Sequence, residues 1–216
     1  MRTLEGQIAL VTGGGKGIGR AIALALSARG VAVVVTGRDE KALGETVGEV
    51  AHGGGKARHL VGDVRDAAHL AAAVERACSV FGGLDLVIAN ASQPGRSELG
   101  GDLAPAEAIL RTNLMGAYYT FNAALPRMKG PGRLLAVSRA PAELGGAGHA
   151  ASAASDAGVL GLCRALAREL APRKITCNSI VAGRVEPEEV AQLVVFLCGA
   201  GADRITGQAI AIGGDA

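Results

Sequence analysis

Five glycines fall within the eight residues Thr12–Gly19, whose sequence is TGGGKGIG. The segment follows an apolar stretch and precedes an amphipathic one, so it joins a predicted strand to a predicted helix. Glycines at such a junction allow backbone angles that other residues avoid, and they let a pyrophosphate approach the amides at the helix N-terminus. A tight turn without a ligand is the alternative. The run predicts a nucleotide-binding loop formed by Gly13, Gly15, Lys16, Gly17, Ile18 and Gly19.

A second group of polar residues, His149, Ser152 and Asp156, lies within a later predicted helix. Their spacing places all three on one helical face. A hydrolytic triad is conceivable there, but parallel side chains from one helix seldom reach the nested geometry of a triad, and no oxyanion hole is evident. The simpler interpretation of His149 is a residue at the helix start whose side chain has a satisfied hydrogen bond.

Apolar runs alternate with amphipathic stretches along the whole chain, which predicts strands alternating with helices. The predicted strands are Ile8–Thr12, Val31–Thr36, Arg58–Val61, Leu84–Ala89, Arg133–Ser138, Ile175–Ile180 and Gln208–Ile212. The predicted helices are Gly17–Arg29, a helix capped by Asp39 and running to about His52, Asp66–Phe81, Pro105–Met128, Gly148–Pro172 and Pro187–Gly199. Strands connected by helices form parallel sheets covered on both faces. We therefore expect an α/β protein in which all 216 residues form one Rossmann-type domain, a three-layer, doubly wound parallel sheet of about seven strands.

Composition excludes several function classes. A net charge of +2 gives no basic stripe for a phosphate backbone, and with 2% aromatic residues the chain lacks stacking platforms for single-stranded nucleic acid. The four cysteines form no CxxC pair, so neither a disulfide framework nor a zinc site is expected. No apolar stretch is long enough to cross a bilayer, and the N-terminus lacks signal-peptide character. We expect a cytoplasmic protein with no metal, nucleic-acid or membrane partner.

Several motifs together resemble the short-chain dehydrogenase/reductase family, especially its 3-oxoacyl-carrier-protein reductase branch, almost from end to end. TGGGKGIG resembles the family's TGxxxGxG fingerprint. Further matching segments are Gly62-Asp63-Val64 (adenine contact), Ala89-Asn90-Ala91-Ser92 (the NNAG turn), Asn178–Gly183 (NxxxPG) and Ile205–Gln208 (ITGQ). The resemblance implies that Asp63, Val64, Asn90 and Ala91 contact a dinucleotide and that Asn113 matches the catalytic asparagine.

The choice of cofactor can be argued from charge. Lys16 lies inside the glycine loop, and Arg38 follows the second predicted strand, where a member that prefers NAD often carries an acid. Two cations there suit the 2′-phosphate of NADP. The alternative is that both are ordinary solvated surface charges. We expect NADP(H) rather than NAD if a nucleotide binds at all.

The positions that carry the family's catalytic residues depart from its pattern. Alignment of the helix opening places Ser152 at the tyrosine position and Asp156 at the lysine position, while Arg139, next to Ser138, occupies the serine position. The family's chemistry needs a phenol whose pKa an adjacent cation can lower, and a serine hydroxyl beside a carboxylate is far too weak an acid. Only Asn113 is conventional. We expect Arg139 and Asp156 to pair across the former pocket.

The region that would hold the reactive end of the cofactor also departs from the family. Ala182 replaces the proline of the PG segment, the threonine that follows is absent, and Gly183–Glu186 lead directly into Pro187. The helical substrate lid that the family has before its last helix is therefore expected to be absent. Ser92 replaces the last glycine of the NNAG turn and adds a side chain near the expected nicotinamide ribose.

The leading hypothesis is a non-catalytic, pseudo-enzyme subunit that supports a competent reductase. The resemblance implies homo- or hetero-oligomer interfaces on Pro105–Met128, Gly148–Pro172 and Pro187–Ile212, and Leu160, Leu162, Leu166 and Leu170 form either a core or an interface stripe. One alternative is a non-redox lyase, cyclase or isomerase that uses Asn113, Arg139, His149 and Asp156. Another is a residual NADP-dependent oxidoreductase in which Ser138 and a water replace the usual acid.

Overall fold

A computed structural model describes residues 4–139 and 146–213. The strands are β1 Ile8–Thr12, β2 Ala32–Gly37, β3 Ala57–Val61, β4 Leu86–Ala89, β5 Gly132–Arg139, β6 Ile175–Ala182 and β7 Ala209–Ile212. The helices are α1 Gly17–Ser27, α2 Glu40–His52, α3 Ala67–Phe81, α4 Ala104–Leu110, α5 Gly116–Ala124, α6 Ala150–Glu169 and α7 Pro187–Cys198. A π-helical turn, Arg111–Met115, joins α4 to α5.

The strands form one parallel sheet in the order β3-β2-β1-β4-β5-β6-β7. The order reverses beside β1, which pairs with β2 on one side (Ile8 with Ala32) and with β4 on the other (Ala9 with Leu86). Helix crossovers therefore leave in opposite directions from β1 and β4, and the crevice between them opens at the carboxyl ends of the strands. The predicted Rossmann-type, three-layer fold is confirmed.

Each face of the sheet is covered by its own hydrophobic core. On one face, Ile22 and Leu26 of α1 pack with Val190 and Val194 of α7. On the other, residues of α3, α5 and α6 such as Phe121 form the second core. All five residues of β1 are buried, as expected for a central parallel strand. Because Leu166 and Leu170 belong to the second core and Leu162 packs against it, the leucine stripe of α6 is mainly a core feature.

The prediction of one uninterrupted helix over Pro105–Met128 is wrong. The helical segment is divided by the π turn Arg111–Met115 and ends at Ala124. A π turn adds a residue without changing the hydrophobic periodicity strongly, so the sequence pattern does not reveal it. The ending follows from Pro126 shortly after Ala124, since proline cannot continue the helical hydrogen bonding.

The predicted helix over Gly148–Pro172 is shorter than expected at both ends. Helix α6 begins at Ala150, because Gly148 has a positive φ of 79°, and it ends at Glu169 before a 3₁₀ turn at Ala171–Arg173. Strands β5 and β6 are longer than predicted, and they stay paired up to Arg139 opposite Ala182. No helix in the described part of the chain is long and apolar enough to cross a membrane.

Candidate nucleotide-binding site

A cleft of about 1080 Å³ opens at the carboxyl ends of the strands, where the strand order reverses. It is lined by the glycine loop, the ends of β2 and β3, and the segments that follow β4 and β6. The structure brings together in this cleft all eleven residues predicted to contact a nucleotide: Gly13, Gly15, Lys16, Gly17, Ile18, Gly19, Arg38, Asp63, Val64, Asn90 and Ala91. These residues come from four separate segments of the chain.

Thr12 and Asn90 fix the glycine loop to the end of β4. The backbone N–H groups of Asn90 and Ala91 both donate to Thr12 Oγ1 at 3.0 Å. In return, Asn90 Nδ2 donates to the carbonyl of Thr12 at 3.0 Å and to that of Gly13 at 3.4 Å. Since these bonds satisfy carbonyls at the start of the loop, its shape is set before any ligand arrives.

Gly13 and Gly19 are among the loop glycines that its geometry requires. Gly13 has a φ of +67°, which is unfavourable for other residues. A Cβ at Gly19 would lie 2.2 Å from the Gly13 carbonyl oxygen and 2.5 Å from Asn90 Nδ2. In contrast, the space beside Gly17, the first residue of α1, is open. The loop is thus packed tightly behind and open in front, which fits the approach of a pyrophosphate to the N-terminus of α1.

Lys16, which was predicted as a phosphate ligand, forms an ion pair that the sequence did not reveal. Its Nζ lies 2.6 Å from Asp39 Oδ2, and its side chain is 75% exposed. The hydrogen bond from Lys16 lowers the pKa of Asp39, and the bond to Asp39 raises the pKa of Lys16. Asp39 also lines the cleft and caps α2 by accepting from the Ala42 N–H at 3.1 Å. From the sequence, only the capping role of Asp39 is expected.

Asp63 forms a second ion pair at the same end of the cleft. Its carboxylate accepts from Arg65 Nε at 3.0 Å and from Arg65 Nη2 at 2.6 Å, and this interaction lowers the pKa of Asp63. Arg38 is exposed nearby, and its charge also contributes to the lower pKa of Asp63. This end of the cleft therefore combines basic side chains with carboxylates that stay ionised.

The opposite end of the cleft is lined by Ser92, Val137, Ser138 and the segment from Ala182 to Val185, together with Pro187. The hydroxyl of Ser138 donates to the Ile180 carbonyl at 3.5 Å, a weak bond. Only residues 183–186 connect β6 to α7. This connection is too short to contain a helix of its own.

Asn113 and the residues at the other family catalytic positions are arranged differently from the nucleotide-binding set. Asn113 Oδ1 accepts from the Gln93 N–H at 2.7 Å, and Asn113 Nδ2 donates to the Gln93 carbonyl at 3.3 Å. Ser152 is 8% exposed, and Asp156 is half-buried. Within residues 4–139 and 146–213, the cleft lining includes none of these three.

The prediction that the His149 side chain has a satisfied hydrogen bond is wrong for one ring nitrogen, Nδ1. His149 directly precedes α6, as predicted, but Nδ1 is buried without a hydrogen-bond partner among the described residues. The backbone N–H of His149 bonds to the Gly146 carbonyl, and the side chain does not cap the helix. An unpartnered Nδ1 lacks the carboxylate contact that orients a triad histidine.

The predicted Arg139–Asp156 pair lies outside the described residues, because the Arg139 side chain is not among them.

The cysteines are free thiols, and Cys163, Cys177 and Cys198 are buried while Cys78 is half-buried. In the described part of the chain, no group of three or more His, Cys, Asp or Glu side chains could hold a metal ion.

Comparison with known proteins gives one family for nearly the whole chain. The family model described as short chain dehydrogenase matches residues 7–194. The 3-oxoacyl-[acyl-carrier-protein] reductase of Vibrio harveyi is 33% identical, over 98% of this chain and 97% of that protein. That alignment runs over 244 positions, and since this chain has 216 residues, at least 28 of them are gaps on its side.

Solved structures with about 29% identity share the fold closely. A dehydrogenase/reductase from Sinorhizobium meliloti 1021 matches with a TM-score of 0.94 at 29% identity, covering 99% of this chain and 96% of the other. A short chain dehydrogenase from Burkholderia cenocepacia J2315, solved in complex with NADP, matches with a TM-score of 0.92 at 29% identity, covering 99% and 98%.

Proposed function

Because the chain belongs to the short-chain dehydrogenase family, we propose that it is a non-catalytic, NADP(H)-binding subunit that supports a competent reductase. One observation carries the proposal. The cleft contains all eleven residues predicted to contact a nucleotide, whereas the positions of the family's serine, tyrosine and lysine hold Arg139, Ser152 and Asp156. The binding half of an oxidoreductase site is kept, and the half that transfers a proton is replaced.

The adenosine end of the cleft fits a dinucleotide with a 2′-phosphate. Amides of the glycine loop and the N-terminus of α1 would hold the pyrophosphate. Lys16 and Arg38 would hold the 2′-phosphate, and Asp63 and Val64 would lie beside the adenine. NADP in the B. cenocepacia structure supports this choice of ligand.

A bound nicotinamide cofactor would supply a hydride, but this chain lacks a group to supply the matching proton. A phenol has an ordinary pKa near 10 that an adjacent ammonium can lower, whereas an aliphatic hydroxyl such as that of Ser152 is a much weaker acid. Burial of Ser152 opposes its ionisation further, and a carboxylate at position 156 has the wrong sign of charge to assist. Loss of one proton-transfer group costs on the order of 10²–10⁴ in rate.

The connection between β6 and α7 supports the absence of a substrate lid. It contains only residues 183–186, which is too short for a helical lid. Without a covering segment there, the far end of the cleft would admit water. Since hydride transfer benefits from a closed, dry site, this opening also favours a non-catalytic role.

A partner subunit is proposed on the segments that the sequence singled out. On one face of the sheet, Phe196 of α7 is 50% exposed. Ala209 and Ala211 of β7 are exposed, and β7 is the last strand in the sheet order. An exposed apolar helix face beside an open sheet edge is suited to pairing with another chain. We propose that a related reductase subunit, or a second copy of this chain, covers this surface.

The proposal is tested with the protein isolated from its own host and with the purified chain. Native mass spectrometry is expected to show a mixed complex with a reductase and bound NADP(H). The purified chain with NADPH and a 3-oxoacyl thioester is expected to give no turnover. The matched control is the variant R139S/S152Y/D156K, which restores the family's residue types. Turnover by the unmodified chain at ordinary enzyme rates would overturn the proposal and favour an oxidoreductase that uses Ser138.

A further inference from the structure

His69 lies behind the cleft wall, in the first turn of α3, and belongs to none of the predicted nucleotide-binding motifs. We propose that His69 is a positioning residue that holds the Gly62–Val64 turn in the shape required to bind the adenine of a nucleotide such as 2′-AMP. The inference rests on the proposed nucleotide binding, and it identifies a side chain that controls that site without lining it. Three contacts carry the argument.

The first contact joins His69 to the end of β2. Its Nε2 lies 2.5 Å from Thr36 Oγ1, and the same Oγ1 lies 2.8 Å from the Leu60 carbonyl oxygen. A hydroxyl has one proton, and a carbonyl can only accept, so Thr36 donates to Leu60. His69 Nε2 must therefore carry a proton and donate to Thr36. This assignment fixes the neutral imidazole as the Nε2–H tautomer.

The second contact is with the turn itself. A Cβ placed on Gly62 would lie 2.1 Å from His69 Nδ1 and 2.4 Å from its Cγ and Cε1. The imidazole ring thus packs directly against the Gly62 backbone, and no side chain fits between them. Gly62 and the two residues after it, Asp63 and Val64, line the cleft. The ring supports this part of the wall from behind.

The third contact links the turn back to β2. The Gly62 N–H donates to the Gly37 carbonyl at 2.9 Å, and Gly37 follows Thr36 and lines the cleft. His69 therefore contacts both members of a hydrogen-bonded pair of chain segments that face the predicted adenosine position. Thr36 is fully buried, so its bond to His69 does not compete with water.

The charge state of His69 is consistent with this supporting role. Burial lowers the pKa of His69, although Asp66 and Asp63 oppose the change. The ring is therefore neutral at pH 7 and donates a single, directed hydrogen bond. A neutral ring also avoids placing a charge against the Gly62 backbone.

The test compares four variants by binding of 2′-AMP, measured by calorimetry on the full chain. H69A removes the bond and the packing, and we expect it to weaken 2′-AMP binding by on the order of five- to tenfold. H69Q keeps an N–H donor at similar reach and is expected to stay within about twofold of the unmodified protein. T36V removes the hydroxyl that accepts from His69, and we expect it to weaken 2′-AMP binding as H69A does. H52A, which changes an exposed histidine at the end of α2, is the matched control.

Hydrogen exchange gives a second readout that needs no nucleotide. Amides of residues 62–64 are expected to exchange faster in H69A and T36V but not in H69Q or H52A, with exchange in β1 unchanged. Unchanged exchange at 62–64 in H69A, or equal acceleration throughout the protein, overturns the positioning role. If the unmodified chain fails to bind 2′-AMP while exchange at 62–64 responds as expected, the proposed nucleotide binding is wrong and His69 supports a turn with no such ligand.

Discussion

Lys16 Nζ and Asp39 Oδ2 lie 2.6 Å apart across the mouth of the cleft, joining the glycine loop to the N-terminus of α2. Arg38, the other cation predicted to hold a 2′-phosphate, directly precedes Asp39. A phosphate entering this end of the cleft would therefore meet the cations Lys16 and Arg38 and the carboxylates of Asp39 and Asp63. Asp39 holds Lys16 in place, but its negative charge opposes the phosphate.

Asp39→Asn is expected to raise the preference for a 2′-phosphate. Asparagine can still accept the hydrogen bond from the Ala42 N–H, so the cap of α2 is kept while the charge is removed. Lys16 is then free to bind phosphate. We expect the affinity for 2′-AMP to rise severalfold and that for 5′-AMP, which lacks the 2′-phosphate, to change little, as measured by calorimetry at low salt.

Two controls separate the charge from the cap. Asp39→Ala removes both and is expected to lower the melting temperature in addition to altering the affinity. Lys16→Gln should weaken 2′-AMP binding in the unmodified background and in the Asp39→Asn background. An equal change of 2′-AMP and 5′-AMP affinity in Asp39→Asn would contradict the electrostatic explanation.

Hydrophobic periodicity and turn residues predict the fold class and the order of strands and helices, but not every helix boundary or the contacts within the site. Strand β1 occupies the predicted residues Ile8–Thr12, and α2 is capped by Asp39 as predicted. These features depend on local sequence. The Lys16–Asp39 pair depends on the distance between two loops, which the sheet determines. The π turn at Arg111–Met115 leaves the hydrophobic periodicity nearly unchanged, so the sequence does not predict it.

The residues predicted to bind a nucleotide form contiguous motifs that a sequence displays directly, and they line one cleft. His69 forms no such motif: its significance comes from Thr36 and Gly62, which lie on other strands or turns. A histidine seven residues after a glycine does not by itself indicate a contact, because only the fold places the imidazole ring against that glycine. Residues that act through other residues, as His69 does through Thr36 and Gly62, are therefore not predicted by sequence motifs.

Gly19→Ala is expected to disrupt the glycine loop. The added methyl group would overlap the Gly13 carbonyl oxygen and the Asn90 side chain, both of which belong to the network that fixes the loop. We expect a loss of 2′-AMP affinity of on the order of tenfold or more, with a lower melting temperature. Gly48→Ala is the matched control, because Gly48 lies in the interior of α2 with open space around it. That variant should gain about 0.5–1 kcal/mol in stability from helix propensity and keep its affinity.

Arg133→Met is expected to destabilise the fold far from the cleft. Arg133 is 1% exposed, and its guanidinium donates to the carbonyls of Leu197 at 3.2 Å and Gly132 at 3.0 Å and to the carboxylate of Asp203. Methionine preserves most of the apolar stem but leaves buried carbonyls without donors. The expected cost is about 2–4 kcal/mol in the free energy of unfolding, measured with urea.

Asp203→Asn is the comparison variant for Arg133→Met, because it removes only the charged partner of Arg133. The Asp203 side chain is 58% exposed, so water can replace its partner, and the expected cost is at most about 1 kcal/mol. Equal losses in the two variants would show that the carboxylate of Asp203, rather than the carbonyls of Leu197 and Gly132, accounts for the stabilisation by Arg133.

The pH dependence of stability should reveal the neutral state of the half-buried His69 ring. Burial lowers the pKa of His69 in the folded protein below its ordinary value of about 6.5, so the unfolded chain binds a proton more readily. The free energy of unfolding is therefore unaffected by this group above about pH 6.5, and it decreases as the pH falls from there towards the folded-state pKa. Asp39 and Asp63, whose pKa values are lowered in the folded protein, stabilise it above the ordinary carboxyl value of about 3.9 and lose that contribution only at lower pH.

The measurement that isolates His69 is urea unfolding of the unmodified protein and of H69Q at several values between about pH 4.5 and pH 7.5. The other histidines are common to both proteins, so their contributions cancel in the difference. We expect the stability of the unmodified protein relative to H69Q to decrease steadily below about pH 6.5. A difference that stays constant over this range would mean that His69 is as easily protonated in the folded protein as in the unfolded chain. The ring would then not be held as the neutral donor that its contacts with Thr36 and Gly62 require.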